Sequence, residues 1–152
     1  MSGKHIELFL VGGEPGGLVT AEVATWTGHL LRAPRSKLSE LFKRNEAKRN
    51  GVYLLLGQDP NALGGVQCYV GKTEHFAQRL KDHDAKKDFW DEVVLISAKD
   101  HTCNEGHWGH LEARVIELAS AAKRASLPNV QVPQLRKLSE AQASDVEAFI
   151  RE

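Results

Sequence analysis

The sequence predicts an α+β domain in which a small central sheet of three strands is flanked by helices. Two apolar runs, residues 52–56 and 66–70, enclose a segment rich in turn residues at 58–65, which indicates a β-hairpin. A run of β-branched and aliphatic residues at 93–96 supplies the third strand. Apolar residues at helical spacing follow both the hairpin and this third strand, and they predict the flanking helices.

The first fifty residues predict an N-terminal extension made of a second hairpin and a basic helix. An apolar run at residues 6–11 ends in a glycine-rich turn, and residues 18–26 can pair back as its partner strand. Residues 36–48 carry apolar side chains at helical spacing, and Ser36 is a suitable N-cap. This basic helix is a candidate DNA contact, although a solvated helix face is the ordinary role of such charges.

The rest of the chain predicts three further helices and one loop. A helix over residues 74–86 follows Thr73, its predicted N-cap, and a polar, glycine-containing loop covers 99–110. A helix over residues 111–124 comes next, and a capping box at Ser139 begins the last helix.

The chain divides into three predicted parts, an N-terminal extension at residues 1–49, a core at 50–135 and a C-terminal helix at 136–152. The last residue lies inside a predicted helix that has no C-cap glycine. We therefore expect either a fragment of a longer protein with an additional C-terminal domain, or a short protein of the same kind.

Length and composition indicate one compact intracellular domain. The 152 residues suit a single hydrophobic core, and the apolar and charged fractions are ordinary for a globular protein. No apolar run approaches the length of a membrane span, and the N-terminus lacks a signal-peptide core. Two cysteines form no disulfide framework, which favours a reducing compartment. We expect a cytoplasmic protein with no membrane partner, and its oligomeric state stays open.

The charge is balanced overall but unevenly distributed. The formal net charge is zero, yet residues 35–87 carry a net charge of +5 and residues 88–118 carry −5. A basic segment can follow a phosphate backbone, and an acidic segment can supply a metal ligand. A dipolar surface without function explains the same distribution, so both interpretations stand at this point.

Four side chains near the central hairpin suggest a site for a phosphate and a metal ion. Arg79 and His83 lie four residues apart and share a face of the predicted helix. Lys72 lies just before that helix, where free N–H groups and the helix dipole favour an anion. Glu112 falls in the first turn of its predicted helix and is a candidate ligand for Mg²⁺. In the alternative interpretation, each of these residues is an ordinary surface charge.

Four short motifs occur in a fixed order: Gly-Val-Tyr at 51–53, Tyr-Val-Gly-Lys-Thr at 69–73, Phe-Ala-Gln-Arg-Leu at 76–80 and Leu-Glu-Ala-Arg at 111–114. This ordered set resembles the GIY-YIG nuclease family over residues 50–133, in particular a bacterial subgroup with an N-terminal extension. The resemblance implies a small antiparallel three-stranded sheet flanked by helices, and an enzyme that hydrolyses phosphodiester bonds.

The resemblance also implies which residues form the active site. The implied catalytic set contains seven residues: Tyr53, Tyr69, Lys72, Arg79, His83, Glu112 and Asn129. Within this set, Glu112 is the implied ligand of Mg²⁺ or Mn²⁺, and Asn129 matches a distal asparagine that follows the glutamate helix. Valine replaces isoleucine in the first motif, which preserves a β-branched strand residue.

The same residues suit phosphodiester hydrolysis on chemical grounds. A metal ion on Glu112 can bind a phosphate oxygen, and Arg79 adds a planar donor fork that matches phosphate. Tyr53 is a candidate base, provided that positive charge nearby lowers its pKa from about 10. Tyr69 would position the nucleophile or the phosphate, and His83 would relay a proton. In the alternative interpretation, both tyrosines are packed strand residues.

An alternative interpretation is a structural zinc site formed by His101, Cys103, His107 and His110. The spacing matches no common zinc finger, so loop histidines beside the active-site helix are favoured. His110 lies two residues before Glu112 and is a candidate contact to the phosphate.

The sequence therefore predicts a divalent-metal-dependent endonuclease that hydrolyses DNA. Two alternatives stay open: a nucleic-acid-binding module with weak or partner-dependent catalysis, and a ribonuclease that acts in defence or as a toxin on RNA.

Overall fold

The computed structural model describes residues 2–101, 103–129 and 138–152, which contain six strands and four α-helices. The strands are β1 (Ile6–Leu10), β2 (Val19–Val23), β3 (Gly28–Pro34), β4 (Gly51–Gln58), β5 (Val66–Thr73) and β6 (Trp90–Ala98). The helices are α1 (Leu38–Leu41), α2 (Phe76–Lys86), α3 (Glu105–Ala122) and α4 (Glu140–Ile150).

All six strands belong to one antiparallel sheet with the order β1-β2-β3-β6-β4-β5. The α+β class is confirmed, but the predicted sheet of three strands is too small, because β3 was absent from the prediction. β3 pairs with β6 from Gly28↔Ala98 to Pro34↔Glu92 and so joins the N-terminal hairpin to β4 and β5. The predicted extension and the predicted core thus share one continuous sheet.

A buried polar network accompanies β3. His29 interrupts the apolar residues of this strand, yet it is only 8% exposed. Its Nδ1 lies 2.7 Å from Glu22 Oε1 on β2, and its Nε2 lies 3.0 Å from Glu46 Oε2. Arg44 Nη2 donates to the same Glu46 oxygen at 3.0 Å. Because other segments supply these partners, the local sequence of β3 does not show that His29 can be buried.

Helices cover both faces of the sheet. Since alternate strand residues face opposite sides, Tyr53 and Leu55 contact the α1 and α2 layer, whereas Val52 contacts the α3 and α4 layer. The first core cluster includes Leu31, Leu41, Tyr53, Leu55, Phe76, Leu80, Trp90 and Leu95. The second core cluster includes Val52, Cys68, Val70, Trp108, Leu111, Ile116 and Val146. Strand β5 forms one edge of the sheet, between the two helix layers.

The helix predicted over residues 36–48 is wrong as a single element. The segment contains two 3₁₀ turns, Arg35–Lys37 and Asn45–Lys48, on either side of the four-residue α1. Pro34, rather than Ser36, is the N-cap of the first turn. The apolar spacing nevertheless identified buried side chains correctly, since Leu38 and Leu41 pack into the core.

The starts of α2 and α3 also differ from the prediction. α2 begins at Phe76, and its N-cap is His75 instead of Thr73, because His75 Nδ1 accepts a hydrogen bond from Gln78 N–H. α3 begins at Glu105, so the second half of the loop predicted over residues 99–110 is helical. A capping box between Asn104 and His107 starts this helix.

The central hairpin and the last helix are confirmed. β4 pairs with β5 along the whole hairpin, and β6 pairs with the other side of β4. Ser139 and Gln142 form the capping box of α4. The predicted boundary between residues 135 and 136 lies outside the described residues. Among the helices of the described ranges, none has the length and apolar character that crossing a membrane requires.

Candidate active site

Two tyrosines lie on adjacent strands, on the face of the sheet that α2 covers. Tyr53 on β4 stands opposite Gly71 on β5, and Tyr69 stands opposite Leu55. The tyrosines are therefore diagonal neighbours, with ring centroids 6.3 Å apart. Tyr53 is 2% exposed, whereas Tyr69 is only partly buried. Tyr69 is thus the phenol that a bound substrate can reach.

Two glycines leave the space that this arrangement requires. A Cβ on Gly71 would lie 2.3 Å from Tyr53 Oη, so the lack of a side chain lets the phenol lie across β5. Gly51 has a φ of +155°, and a Cβ there would lie 2.1 Å from the carbonyl oxygen of Ile96 on β6. The glycines of both motifs therefore have a packing role that follows from the strand register.

His83 on α2 completes a ring cluster with the two tyrosines. Tyr53 Oη and His83 Nε2 are hydrogen-bonded at 2.7 Å, and both residues are buried. The centroid of the His83 ring lies 5.4 Å from that of Tyr53 and 5.5 Å from that of Tyr69. The backbone carbonyl of His83 accepts hydrogen bonds from Trp90 Nε1 at 3.4 Å and from Lys87 N–H at 2.8 Å. These contacts fix the backbone of His83, and the bond to Tyr53 orients its imidazole.

Burial makes Tyr53 a weaker acid than free tyrosine. Desolvation raises its pKa well above the ordinary value, and the adjoining Tyr69 and the charge of Glu112 raise it further. The guanidinium of Arg79 acts in the opposite direction without offsetting burial. The positive charge of the protein's own side chains therefore does not bring the pKa of Tyr53 below its ordinary value.

His83 is a neutral base at physiological pH. Burial, followed by the charges of Lys87 and Arg79, lowers the pKa of His83 from 6.5 to about 4. The imidazole is therefore uncharged at pH 7, and the same effects make it a weaker proton acceptor than free histidine. Tyr53 and His83 thus form a buried pair of a protonated phenol and a proton acceptor.

Two cations, one on α2 and one directly after it, flank the ring cluster. Arg79 is exposed four residues before His83, and Lys87, which directly follows α2, comes four residues after it. Lys87 Nζ lies 4.3 Å from the centroid of the Tyr69 ring, which is a cation–π contact. Lys87 was not among the predicted residues, although it continues the helical repeat of Arg79 and His83.

Glu112 belongs to α3 in the opposite helix layer, and Lys72 on β5 interacts with it. Glu112 is 7% exposed; burial raises the pKa of its carboxyl, and the charge and backbone N–H of Lys72 oppose that rise. Since α3 begins at Glu105, Glu112 lies beyond the first turn, and its predicted position in the first turn is wrong. Lys72 Nζ donates to Glu105 at 3.3 Å, so this lysine contacts α3 rather than the start of α2.

Asn129 binds the outer edge of β5 as a neighbouring strand would. Val70 N–H donates to Asn129 Oδ1 at 3.2 Å, and Asn129 Nδ2 donates to the Val70 carbonyl at 2.7 Å. Backbone pairing with Ser126 continues the same edge, because Cys68 N–H donates to the Ser126 carbonyl at 2.8 Å. The amide of Asn129 therefore supports the strand that carries Tyr69.

The structure brings all seven predicted site residues to β5 and its immediate neighbours. The ring cluster lies on one side of the strand and the buried carboxylate on the other, and the charges of Arg79 and Glu112 both act on the hydroxyl of Tyr53. A proton acceptor, a guanidinium and one buried carboxylate thus surround a single strand edge. These groups suit the binding and hydrolysis of a phosphodiester.

The donor set at Glu112 fits a hard divalent cation. Mg²⁺ commonly binds through one or two protein carboxylates and completes its coordination with water and phosphate oxygens. Glu112 supplies one buried carboxylate, and a cation there would counteract the burial that raises its pKa. Within the described ranges, no group of three or more His, Cys, Asp or Glu side chains could enclose a metal. A metal at Glu112 would therefore need water or substrate oxygens as further ligands.

The histidines considered for zinc make other contacts. His107 Nδ1 accepts a hydrogen bond from Asn104 N–H at 3.0 Å and so forms part of the α3 cap. His110 Nε2 lies 3.3 Å from Glu147 Oε1 on α4. His110 therefore serves the contact between α3 and α4, in place of the phosphate contact suggested by its position near Glu112.

Comparison with known proteins gives one distant similarity of interest. The chain is similar to the structure-specific endonuclease subunit SLX1 homolog of Brugia malayi, at 28% identity in an alignment 122 positions long, which covers 60% of this chain and 37% of the relative. The chain therefore spans little more than a third of that protein's length. No family model matches the chain, and no solved structure matches it. The similarity agrees with the nuclease interpretation of the motifs.

Proposed function

We propose that the protein is a GIY-YIG-type endonuclease that hydrolyses DNA phosphodiester bonds with Mg²⁺ or Mn²⁺. The observation that carries the proposal is the hydrogen-bonded Tyr53–His83 pair next to the accessible Tyr69, between Arg79 and the buried Glu112. The name of the distant relative describes a structure-specific endonuclease, and it supports a nucleic-acid substrate that is recognised by its structure.

Tyr69 is the proposed contact to the attacking water. It adjoins Tyr53, which is bonded to His83 Nε2 at 2.7 Å. In the proposed step, water gives a proton to the Tyr69 oxygen, Tyr69 passes its own proton to Tyr53, and Tyr53 passes its proton to His83 Nε2. This relay requires the tautomer in which Nε2 carries no hydrogen. The high pKa of Tyr53 is compatible with it, because neither phenol has to exist as a free phenolate.

Arg79 and Glu112 are proposed to act on the phosphate. The guanidinium of Arg79 is permanently charged and can donate to two phosphate oxygens at once. Glu112 would hold the divalent cation, which when bound supplies Lewis-acid stabilisation of the charge on the phosphate. Burial raises the pKa of Glu112, and the ammonium of Lys72 opposes that rise, so Lys72 favours the ionised form that a metal ligand requires. Asn129 and Gly71 would keep β5 and Tyr53 in register.

A cleavage assay on linear duplex DNA, branched duplex DNA and single-stranded RNA tests this function. We expect DNA cleavage that requires Mg²⁺ or Mn²⁺, stops with EDTA, and falls at least about a hundredfold in Arg79→Ala. Lys81→Ala changes another exposed cation of α2 and should cut at the wild-type rate.

The remaining outcomes separate the alternatives. Folded wild-type protein that cuts no DNA with either metal would overturn the proposal. Cleavage of RNA alone would favour the ribonuclease, and salt-sensitive binding without cleavage would favour the binding module.

A further inference from the structure

We infer that Arg79 and Lys87 bind two different phosphates of one nucleic-acid strand, which runs along α2 past Tyr69. The inference rests on the proposed function and extends it, because Lys87 lies outside the seven residues that the motifs imply. It assigns a substrate contact and a path of the strand over the protein surface.

The two cations lie on α2 and at its C-cap. Arg79 and His83 are four residues apart on the helix, and Lys87, the C-cap residue with an extended backbone, follows four residues after His83. Eight residues at the helical rise span about 12 Å. This strip is longer than one phosphate group, and it suits two phosphates of a strand with the ring cluster between them.

Contacts around the ring cluster restrain Lys87. Its ammonium lies 4.3 Å from the centroid of the Tyr69 ring, and its backbone N–H donates to the His83 carbonyl at 2.8 Å. The side chain is partly buried, unlike that of the neighbouring Lys86. A lysine that is already ordered loses less conformational entropy when it binds a phosphate. The cation–π contact therefore holds the Lys87 side chain in a position from which it can bind an anion beside Tyr69.

Arg79 and Lys87 also differ from other cations in their partners. Arg35 pairs with Asp84 at 2.8 Å, and Lys72 pairs with Glu105 at 3.3 Å. In the part of the chain that the structure describes, neither Arg79 nor Lys87 has a carboxylate within ion-pair distance. Arg79 and Lys87 are thus two positive charges without an ion-pair partner among the described residues, and a phosphate strand would neutralise them.

Strand binding would also strengthen the proposed base. The charges of Arg79 and Lys87 both disfavour protonation of His83. A phosphate placed against each cation would cancel much of that effect, because opposite charges offset one another at short range. Binding of the strand would thus make His83 a better proton acceptor at the time when the relay needs one.

The test combines Lys87 variants with substrates that carry one neutral methylphosphonate linkage at successive positions around the mapped cut site. Binding is measured in EDTA, so that no cleavage occurs. In the wild type, one linkage on one side of the cut should raise Kd several-fold, and in Lys87→Ala the same linkage should have little further effect. Lys87→Ala should also reduce the salt dependence of binding by about one phosphate contact. Lys87→Arg should keep the wild-type pattern.

Lys86→Ala is the matched control, since it removes the adjacent exposed lysine and should keep the full position-dependent loss. Equal sensitivity of Lys87→Ala and the wild type to every neutral linkage would overturn the inference. In that case the proposed function survives as long as wild-type protein cuts DNA with Mg²⁺ or Mn²⁺. Wild-type protein that neither binds nor cuts DNA would contradict both the proposed function and this inference.

Discussion

The side-chain amide of Asn129 bonds both backbone groups of Val70, at 3.2 Å to the N–H and 2.7 Å to the carbonyl. Val70 lies between Tyr69 and Gly71 on the edge strand of the sheet. An edge strand has one side of its backbone without a partner strand, so the amide replaces a missing neighbour. Asn129 is therefore a positioning residue that acts through the strand that carries Tyr69.

Replacing Asn129 should lower stability and activity together. Alanine leaves the N–H and carbonyl of Val70 without these partners, which costs about 1–3 kcal/mol. Aspartate keeps the acceptor but sets a second oxygen against the Val70 carbonyl, so Asn129→Asp should cost at least as much. Urea unfolding and kcat measure the two effects. Unchanged stability combined with a lost kcat would argue for direct catalysis instead of positioning.

Gly71→Ala should disturb the ring cluster. The new Cβ would lie 2.3 Å from Tyr53 Oη, so the ring must move and its hydrogen bond to His83 must stretch or break. Such overpacking costs about 1–3 kcal/mol, and we expect slower cleavage with it. Gly16→Ala is the control, because a Cβ there meets nothing within 4 Å. Thermal unfolding and cleavage rates that match the wild type in Gly71→Ala would contradict the described packing of Tyr53.

Tyr53→Phe should reduce kcat and leave DNA affinity unchanged. The substitution removes the hydroxyl that links Tyr69 to His83, and loss of a general acid–base group costs about 10²–10⁴-fold. Tyr53 is 2% exposed, so it has little surface with which to bind substrate. Single-turnover rates and Kd values measured separately test this division. A wild-type kcat in Tyr53→Phe would exclude the relay.

Stability should fall in acid as Glu46 becomes protonated. Burial alone would raise the pKa of Glu46, but hydrogen bonds from His29 and Arg44 outweigh it and lower the pKa from 4.5 to about 2. Because the folded value is the lower one, this stabilisation is complete above pH 4.5 and is lost as the pH falls toward 2.

Glu46→Gln provides the corresponding measurement. It should lower the free energy of unfolding by about 3 kcal/mol at pH 7 and flatten its decline in acid. Urea unfolding at a series of pH values gives both quantities. An equally steep loss of stability in the variant and the wild type below pH 4.5 would show that another group is responsible.

Local patterns were sufficient for the central hairpin and the last helix. The β4–β5 pairing follows from turn residues at 58–65 between two apolar runs, and the capping box of α4 needs only Ser139 and Gln142. The elements that were missed depend on distant partners. β3 requires Glu22 and Glu46 to satisfy the buried His29. Local propensity for such elements is overridden by tertiary contacts.

The start of α3 was missed for a related reason. Its first six residues contain two glycines and two histidines, which are weak helix formers. The capping box at Asn104 and the burial of Trp108, which is 3% exposed, compensate for that weakness. Neither effect is visible in the spacing of the apolar residues, from which the helix was predicted to start at residue 111.

The ordered motifs were sufficient to select the site residues, but they did not predict the surroundings of those residues in the fold. The high pKa of Tyr53 comes from burial under α2, and the contact of Lys72 with α3 comes from the face of β5 on which it lies. The position of Lys87 over Tyr69 requires both the hairpin register and the packing of α2. Spacing alone could have added Lys87, since it continues the repeat of Arg79 and His83.

A single-turnover comparison of two glutamate variants on α3 decides whether the groups around β5 form a hydrolytic site. Glu112→Gln removes the buried carboxylate, and Glu117→Gln removes one whose side chain is 63% exposed on the same helix. With a branched duplex and Mg²⁺, we expect Glu112→Gln to bind DNA but to cut at least about a hundredfold more slowly, while Glu117→Gln cuts like the wild type. Equal cleavage rates for the two variants would show that Glu112 has no part in the reaction.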